Sequence, residues 1–334
     1  MIKSSDIPPL ATTGIGSLPG RDARAALDRA FAVDIPYFPS LPALDPGEGL
    51  LVQALAGFPG VSVAGKGELR FFEENWQAQG RAFRARLKGG LEAAELFPSG
   101  PGLLWEDFLA RLERDPRPWA KVQLLGPVTA RVALEAAAEG GLPEDPELDA
   151  QLLAWLFVKA EAMAAALTRL GKRVLFFWDE PGLGIARAAA TTQALRSSLE
   201  ALKNLGAAVG VHCCGAWDVA EVSAWPADAL SLDLALAGPA WLEDPAALRG
   251  LRGRGGRLAL GIVPTRIPSA WNSRREVEEW RTRFGAALGE AEAQALLAEA
   301  LLTPACGLGT RTEAEAAEVW RRLEEVKSEL SRTR

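Results

Sequence analysis

Histidine is almost missing from this chain: His212 is the only one in 334 residues, and cysteine is limited to Cys213, Cys214 and Cys306. So few cysteines, and an odd number, exclude the disulfide framework of a small secreted domain. They fit a reducing compartment, where grouped Cys and His more often signal a metal or catalysis. Long apolar runs are also missing, since nothing reaches the roughly 18 consecutive apolar residues of a membrane span. The opening MIKSSDIPPL lacks the apolar core of a signal peptide, and a cytoplasmic location is expected. Basic excess is absent as well: net charge is −6 and the pI about 5.2. The short tract RGLRGRGGR at 249–257 is glycine-rich and reads as a solvated loop before a strand. With no cluster of Lys and Arg interleaved with aromatics, a nucleic-acid partner is excluded.

What is present suits a large globular core. Hydrophobic residues make up 49% and charged residues 24%, enough to bury a core without disulfides. Short apolar runs alternate with long helical patterns. Candidate strands lie at 12–17, 34–40, 120–126, 173–179, 207–213, 229–235, 257–263 and 301–306. Their interiors are continuously apolar, the signature of parallel strands covered on both faces. The last helix, TEAEAAEVWRRLEEVKSELSR, opens on a capping signal at Thr312. Strands that are each followed by helical sequence predict one (β/α)8 TIM barrel over residues 1–334. No G-x-G-x-x-G follows the first strand, which disfavours a doubly wound sheet. The stretch 41–119 is long for one connection, so extra helices are expected after the second strand, including one over 68–87.

Unusual residues gather at the carboxyl ends of these strands, the face where barrel enzymes build their sites. In extended chain, alternate residues share a face, so His212 and Cys214 point together while Cys213 points away. His-x-Cys supplies two donors for a tetrahedral zinc. Cys306 ends the last predicted strand, and Asp233 ends the strand beside His212. The plain alternative is a buried strand end where small thiols pack. Two thiolates, one carboxylate and one imidazole around zinc carry a net negative charge. Such a centre is poor at making hydroxide but suited to holding a substrate thiol as a thiolate. That chemistry favours alkyl transfer to sulfur over hydrolysis. The acids of the WDEP segment, Asp179 and Glu180, are candidate catalytic carboxylates, against the alternative of a salt-bridged strand end. Trp178 and Trp217 flank these motifs as candidate pocket walls.

The segments TTGIGSLPG, LLGPVTA, WDEPGLG, VHCCG, ALSLD, GIVPTRIPS and TPACGLGTRT, in this order, span nearly the whole chain. Together they resemble the C-terminal catalytic barrel of cobalamin-independent methionine synthase, in the superfamily that includes uroporphyrinogen decarboxylase. The resemblance implies zinc on His212, Cys214 and Cys306, with Asp233 standing where the family has a glutamate. It implies that Ser17, with Ile15 and Gly16 beside it, and Asp179 bind the amino-acid part of homocysteine, and that Glu68 meets its amine. Two departures matter. There is no second, N-terminal barrel of the kind that helps bind folate, and the family's histidine near strand seven is absent from GIVPTRIPS. Both turn the expected methyl donor from methyltetrahydrofolate to a methylated corrinoid, free or protein-bound. The expected activity is zinc-dependent methylation of homocysteine to methionine. The alternatives are corrinoid-dependent methylation of another thiol, and a zinc-binding paralogue without turnover.

Overall fold

Six consecutive apolar segments form parallel strands in strict chain order, as seen in a computed structural model that describes residues 6–89, 102–143, 145–184, 189–216 and 218–332. They are β3 (Trp119–Leu125), β4 (Arg173–Asp179), β5 (Ala208–Cys213), β6 (Ala229–Asp233), β7 (Arg257–Val263) and β8 (Leu301–Pro304). A separate antiparallel pair, β1 (Val61–Ala64) and β2 (Glu68–Phe71), precedes them. The described residues also include thirteen α-helices. Those nearest the site are α5 (Pro127–Ala137), α6 (Pro146–Arg169), α9 (Leu234–Glu243) and α13 (Glu313–Ser331).

The architecture corrects the predicted closed eight-stranded barrel: the sheet is a six-stranded parallel half-barrel. The two segments predicted as the first strands form no ladder with it: their strand pairing is limited to isolated bridges, Thr12 to Leu302 and Tyr37 to Lys121, and to one between themselves, Ser17 to Ser40. Their composition explains why. Pro36 and Pro39 interrupt the second segment, and proline has no N–H to give a ladder. In the first, the Thr12 N–H is diverted to the Asp34 carboxylate at 2.7 Å. The helix predicted over 68–87 is also corrected at its start. Residues 68–71 turn back as β2, and the helix begins at Glu73. Gly67 permits that turn with φ of +80°, where a Cβ would come within 2.9 Å of the Pro46 carbonyl oxygen.

Alternation along the strands builds two cores. Trp119, Leu175, Phe177, Ala208, Ala229, Ala259 and Leu301 form an inner cluster. Val122, Phe176, Trp178, Val211, Cys213 and Leu232 belong to the larger outer layer under the helices. The 24-residue helix α6 is long and apolar enough to cross a membrane by length and composition. More than half of its apolar window is buried in the protein, with Trp155, Leu156 and Met163 inward.

The β6–β7 seam leaves no room for a side chain at Gly261, where a Cβ would lie 2.5 Å from Leu232 O and 2.7 Å from Ala305 Cα. Both atoms are backbone and cannot swing aside. Gly261→Ala is therefore expected to destabilise the fold by about 1–3 kcal/mol, read as a lower urea midpoint with an unchanged slope.

Candidate metal centre

Parallel pairing sets Asp179 beside His212 and His212 beside Ser231. Cys213 lies wholly in the outer core, its Sγ accepting from Gly215 N–H at 3.4 Å, and burial pushes its thiol up to about 11. Its neighbours turn the other way. The donor atoms of His212, Cys214 and Cys306 all lie within 4.8 Å of one another, the imidazole buried and both thiols half-buried. Cys214 sits one residue beyond β5 and Cys306 two beyond β8, so two strand ends aim at one point.

His212 Nδ1 is 3.0 Å from Ser231 Oγ. Its Nε2 is buried and makes no hydrogen bond among the described residues. A buried polar atom left without a partner costs roughly 1–3 kcal/mol, and a ligand at Nε2 would relieve it. If Nδ1 carries the proton shared with Ser231, Nε2 keeps its lone pair for a metal. The thiols are unequal. The Cys306 thiol, then His212, pulls Cys214 down to about 4, while Cys214 and burial push Cys306 up.

Asp233 stands outside this three-residue group. Its Oδ1 caps α9, accepting from Ala235 N–H at 3.0 Å and Leu236 N–H at 3.3 Å, so the carboxylate predicted as a ligand serves first as a helix cap. Glu180 is a clearer reassignment. It is fully buried, and Oε1 accepts from Val128 N–H at 3.0 Å. Oε2 accepts from Thr129 N–H at 2.7 Å and Thr129 Oγ–H at 2.6 Å. It thus caps α5, whose own N-cap, Gly126, has no side chain to do so. Burial pushes Glu180 up to about 7 against these three donors. Both oxygens are engaged within the fold, so this predicted catalytic carboxylate serves as a helix cap.

Asp179 lies among the charges of Lys121, His212 and Cys214. It is 5% exposed, and its Oδ1 has no hydrogen bond among the described residues. Burial pushes it up to about 6, with the nearby Lys121 charge and then His212 opposing. Ser17 lies where the first segment meets the last loop: its carbonyl accepts from Leu308 N–H at 2.9 Å and its Oγ from Gly309 N–H at 3.2 Å. Ile15 and Gly16 precede it, and a Cβ on Gly16 would come within 2.8 Å of Gln123 Nε2. Glu68 stands outside the His212, Cys214 and Cys306 group. It is exposed at the start of β2, on the other sheet, opposite Ala64. Trp178 packs outward against Phe176, and Trp217 lies outside the described residues.

Three polar groups escaped the sequence reading. Ser231 fixes the histidine ring, and Lys121 and Gln123 project from β3 into the inner face. Lys121 is 2% exposed, its Nζ 2.7 Å from Ile15 O, 2.8 Å from Gln123 Oε1 and 5.1 Å from the centre of the Phe177 ring. Burial pulls it down to about 8, and Asp179 opposes that. The available signal was a lysine and a glutamine inside an otherwise apolar parallel strand.

Ser231→Ala frees the histidine ring and is expected to weaken zinc binding by roughly 10–100-fold, measured by competition with a chelating dye. Glu180→Ala leaves two backbone donors of α5 unsatisfied and is expected to cost about 1–3 kcal/mol. Its zinc stoichiometry should match the unaltered protein, whereas loss of zinc would return Glu180 to the site.

No protein-family model matches the chain, and no curated protein does. Among solved structures, a 3-keto-D-glucoside 4-epimerase from E. coli, in its apo form, aligns at 12% identity over 75% of this chain and 94% of that one. The TM-score of 0.36 is too low to carry an argument about fold or activity.

Proposed function

We propose that this chain is a zinc-dependent thiol methyltransferase that converts homocysteine to methionine with a methyl group delivered by a corrinoid. The observation that carries the reading is the convergence of His212, Cys214 and Cys306 within 4.8 Å, with a buried Nε2 among them that has no hydrogen-bond partner among the described residues. The motif order that resembles the methionine synthase barrel supports it.

The donor set fits zinc: one imidazole and two thiols, with Asp233 beside them as the fourth candidate, both of its hydrogen bonds falling on Oδ1. When bound, zinc supplies the Lewis acidity that lets a thiol lose its proton at neutral pH while staying nucleophilic. The remaining work falls to the protein. Asp179 Oδ1, buried and without a hydrogen bond, accepts from the substrate ammonium. The Ile15–Ser17 segment takes the carboxylate. With both ends of the amino acid held, the substrate sulfur has one direction of attack, and the methyl carbon passes to it by in-line displacement. The new bond is S–CH3, the broken bond Co–CH3, and its electron pair stays on cobalt. A corrinoid leaves readily enough to need little acid assistance. That matches a chain whose one histidine belongs to the thiol cluster.

Purified protein is expected to hold one zinc per chain and to methylate homocysteine with methylcobalamin but not with methyltetrahydrofolate. His212→Ala and Cys306→Ser should each lose zinc and turnover together. Absence of stoichiometric zinc, with thiol binding unchanged in both variants, would sink the proposal. Turnover of a different thiol in place of homocysteine would keep the reaction and change the substrate.

A further inference from the structure

A buried ammonium with no carboxylate hydrogen-bonded to it needs a reason to be there. Lys121 Nζ donates to Ile15 O and to Gln123 Oε1, and Gln123 Nε2 passes the tether on to Phe38 O at 2.8 Å. One lysine thereby fastens both non-strand segments, 12–17 and 34–40, to β3. Burying it is unfavourable, and an apolar side chain of similar volume would fill the space with less penalty.

The grip has a direction. Every peptide in the described chain is trans, so the N–H of Gly16 points away from the carbonyl of Ile15. With that carbonyl drawn inward to Lys121, the Gly16 N–H is turned to the opposite side. Neither the Gly16 nor the Ser17 N–H makes a hydrogen bond among the described residues. The charge on Lys121 also polarises the peptide and strengthens its N–H as a donor. Gln123 blocks any side chain at position 16, since a Cβ there would meet its Nε2 at 2.8 Å.

Resting on the thiol-methyltransferase reading, we propose that Lys121 is a specificity-determining positioning residue. It holds the Ile15–Gly16 peptide so that the Gly16 and Ser17 N–H groups select a thiol substrate that carries a carboxylate. The ammonium does not touch the substrate; it acts through the peptide it fixes.

The test compares two thiols that differ only in that carboxylate, homocysteine and 3-aminopropane-1-thiol, by calorimetric titration of zinc-loaded protein. In Lys121→Met the affinity for homocysteine should fall by about tenfold or more, the scale of a lost charge-assisted hydrogen bond, while that for the aminothiol stays within about twofold. Hydrogen exchange of the peptide covering residues 13–18 should quicken in the same variant without any ligand. Equal losses for both thiols, or no loss for either, would overturn the assignment while leaving the methyltransferase reading intact. If the unaltered zinc-loaded protein binds neither thiol, that reading falls and the carboxylate assignment falls with it. Exchange at 13–18 then still reports whether Lys121 holds the loop. Should Lys121→Met fail to fold, Gln123→Met removes the relay from the other side and is expected to shift the same ratio in the same direction.

Discussion

A parallel strand covered on both faces has only one place for a polar side chain that still reaches a ligand: its carboxyl end, where the inner face opens. β3 to β8 obey this limit. Their lower inner positions are Trp119, Leu175, Ala208, Ala229, Ala259 and Leu301, all apolar. Above them come Lys121, Gln123, Asp179, His212 and Ser231, all buried. The chemistry is stacked on a dry floor, and the low dielectric of that floor shapes every ionisable group above it. Burial raises Asp179 and lowers Lys121, and each is partly restored by the other's charge.

Helix termini compete with the site for its carboxylates. Two acids at the carboxyl ends of strands, Glu180 and Asp233, are drawn to the backbone N–H groups of α5 and α9. A free helix N-terminus leaves orphan donors and a partial positive charge, and a nearby carboxylate satisfies both. Asp179 escapes because it faces inward while Glu180, the next residue, faces the helix layer. One residue of offset separates a group available to a ligand from one consumed by the fold.

The same alternation explains what could be read from sequence. It split Cys213 from His212 and Cys214 without any coordinates, because period-two geometry is local. The last six strands are legible for the same reason, as unbroken apolar runs. The first two were over-read: prolines at 36 and 39 and the diverted Thr12 amide reduce them to bridges, which depends on a carboxylate 22 residues away. Glu180 and Asp233 carried no local sign of being caps, since their partners sit on elements whose placement is tertiary. Lys121 carries only a partial local sign of its role, because its other partner, Ile15, reaches it only when the first segment lies against β3. The methyl-transfer reading depends on chemistry that no fold states.

Ser17 joins the first segment of the chain to the last loop through Leu308 and Gly309, and Cys306 completes what His212 and Cys214 begin. During synthesis, the imidazole and first thiol leave the ribosome well before residue 306 is joined to the chain. A nascent chain thus offers an incomplete donor set. The three donors come together only when β8 joins the sheet, so any metal ion that this group could hold would meet all of them only once the fold is complete.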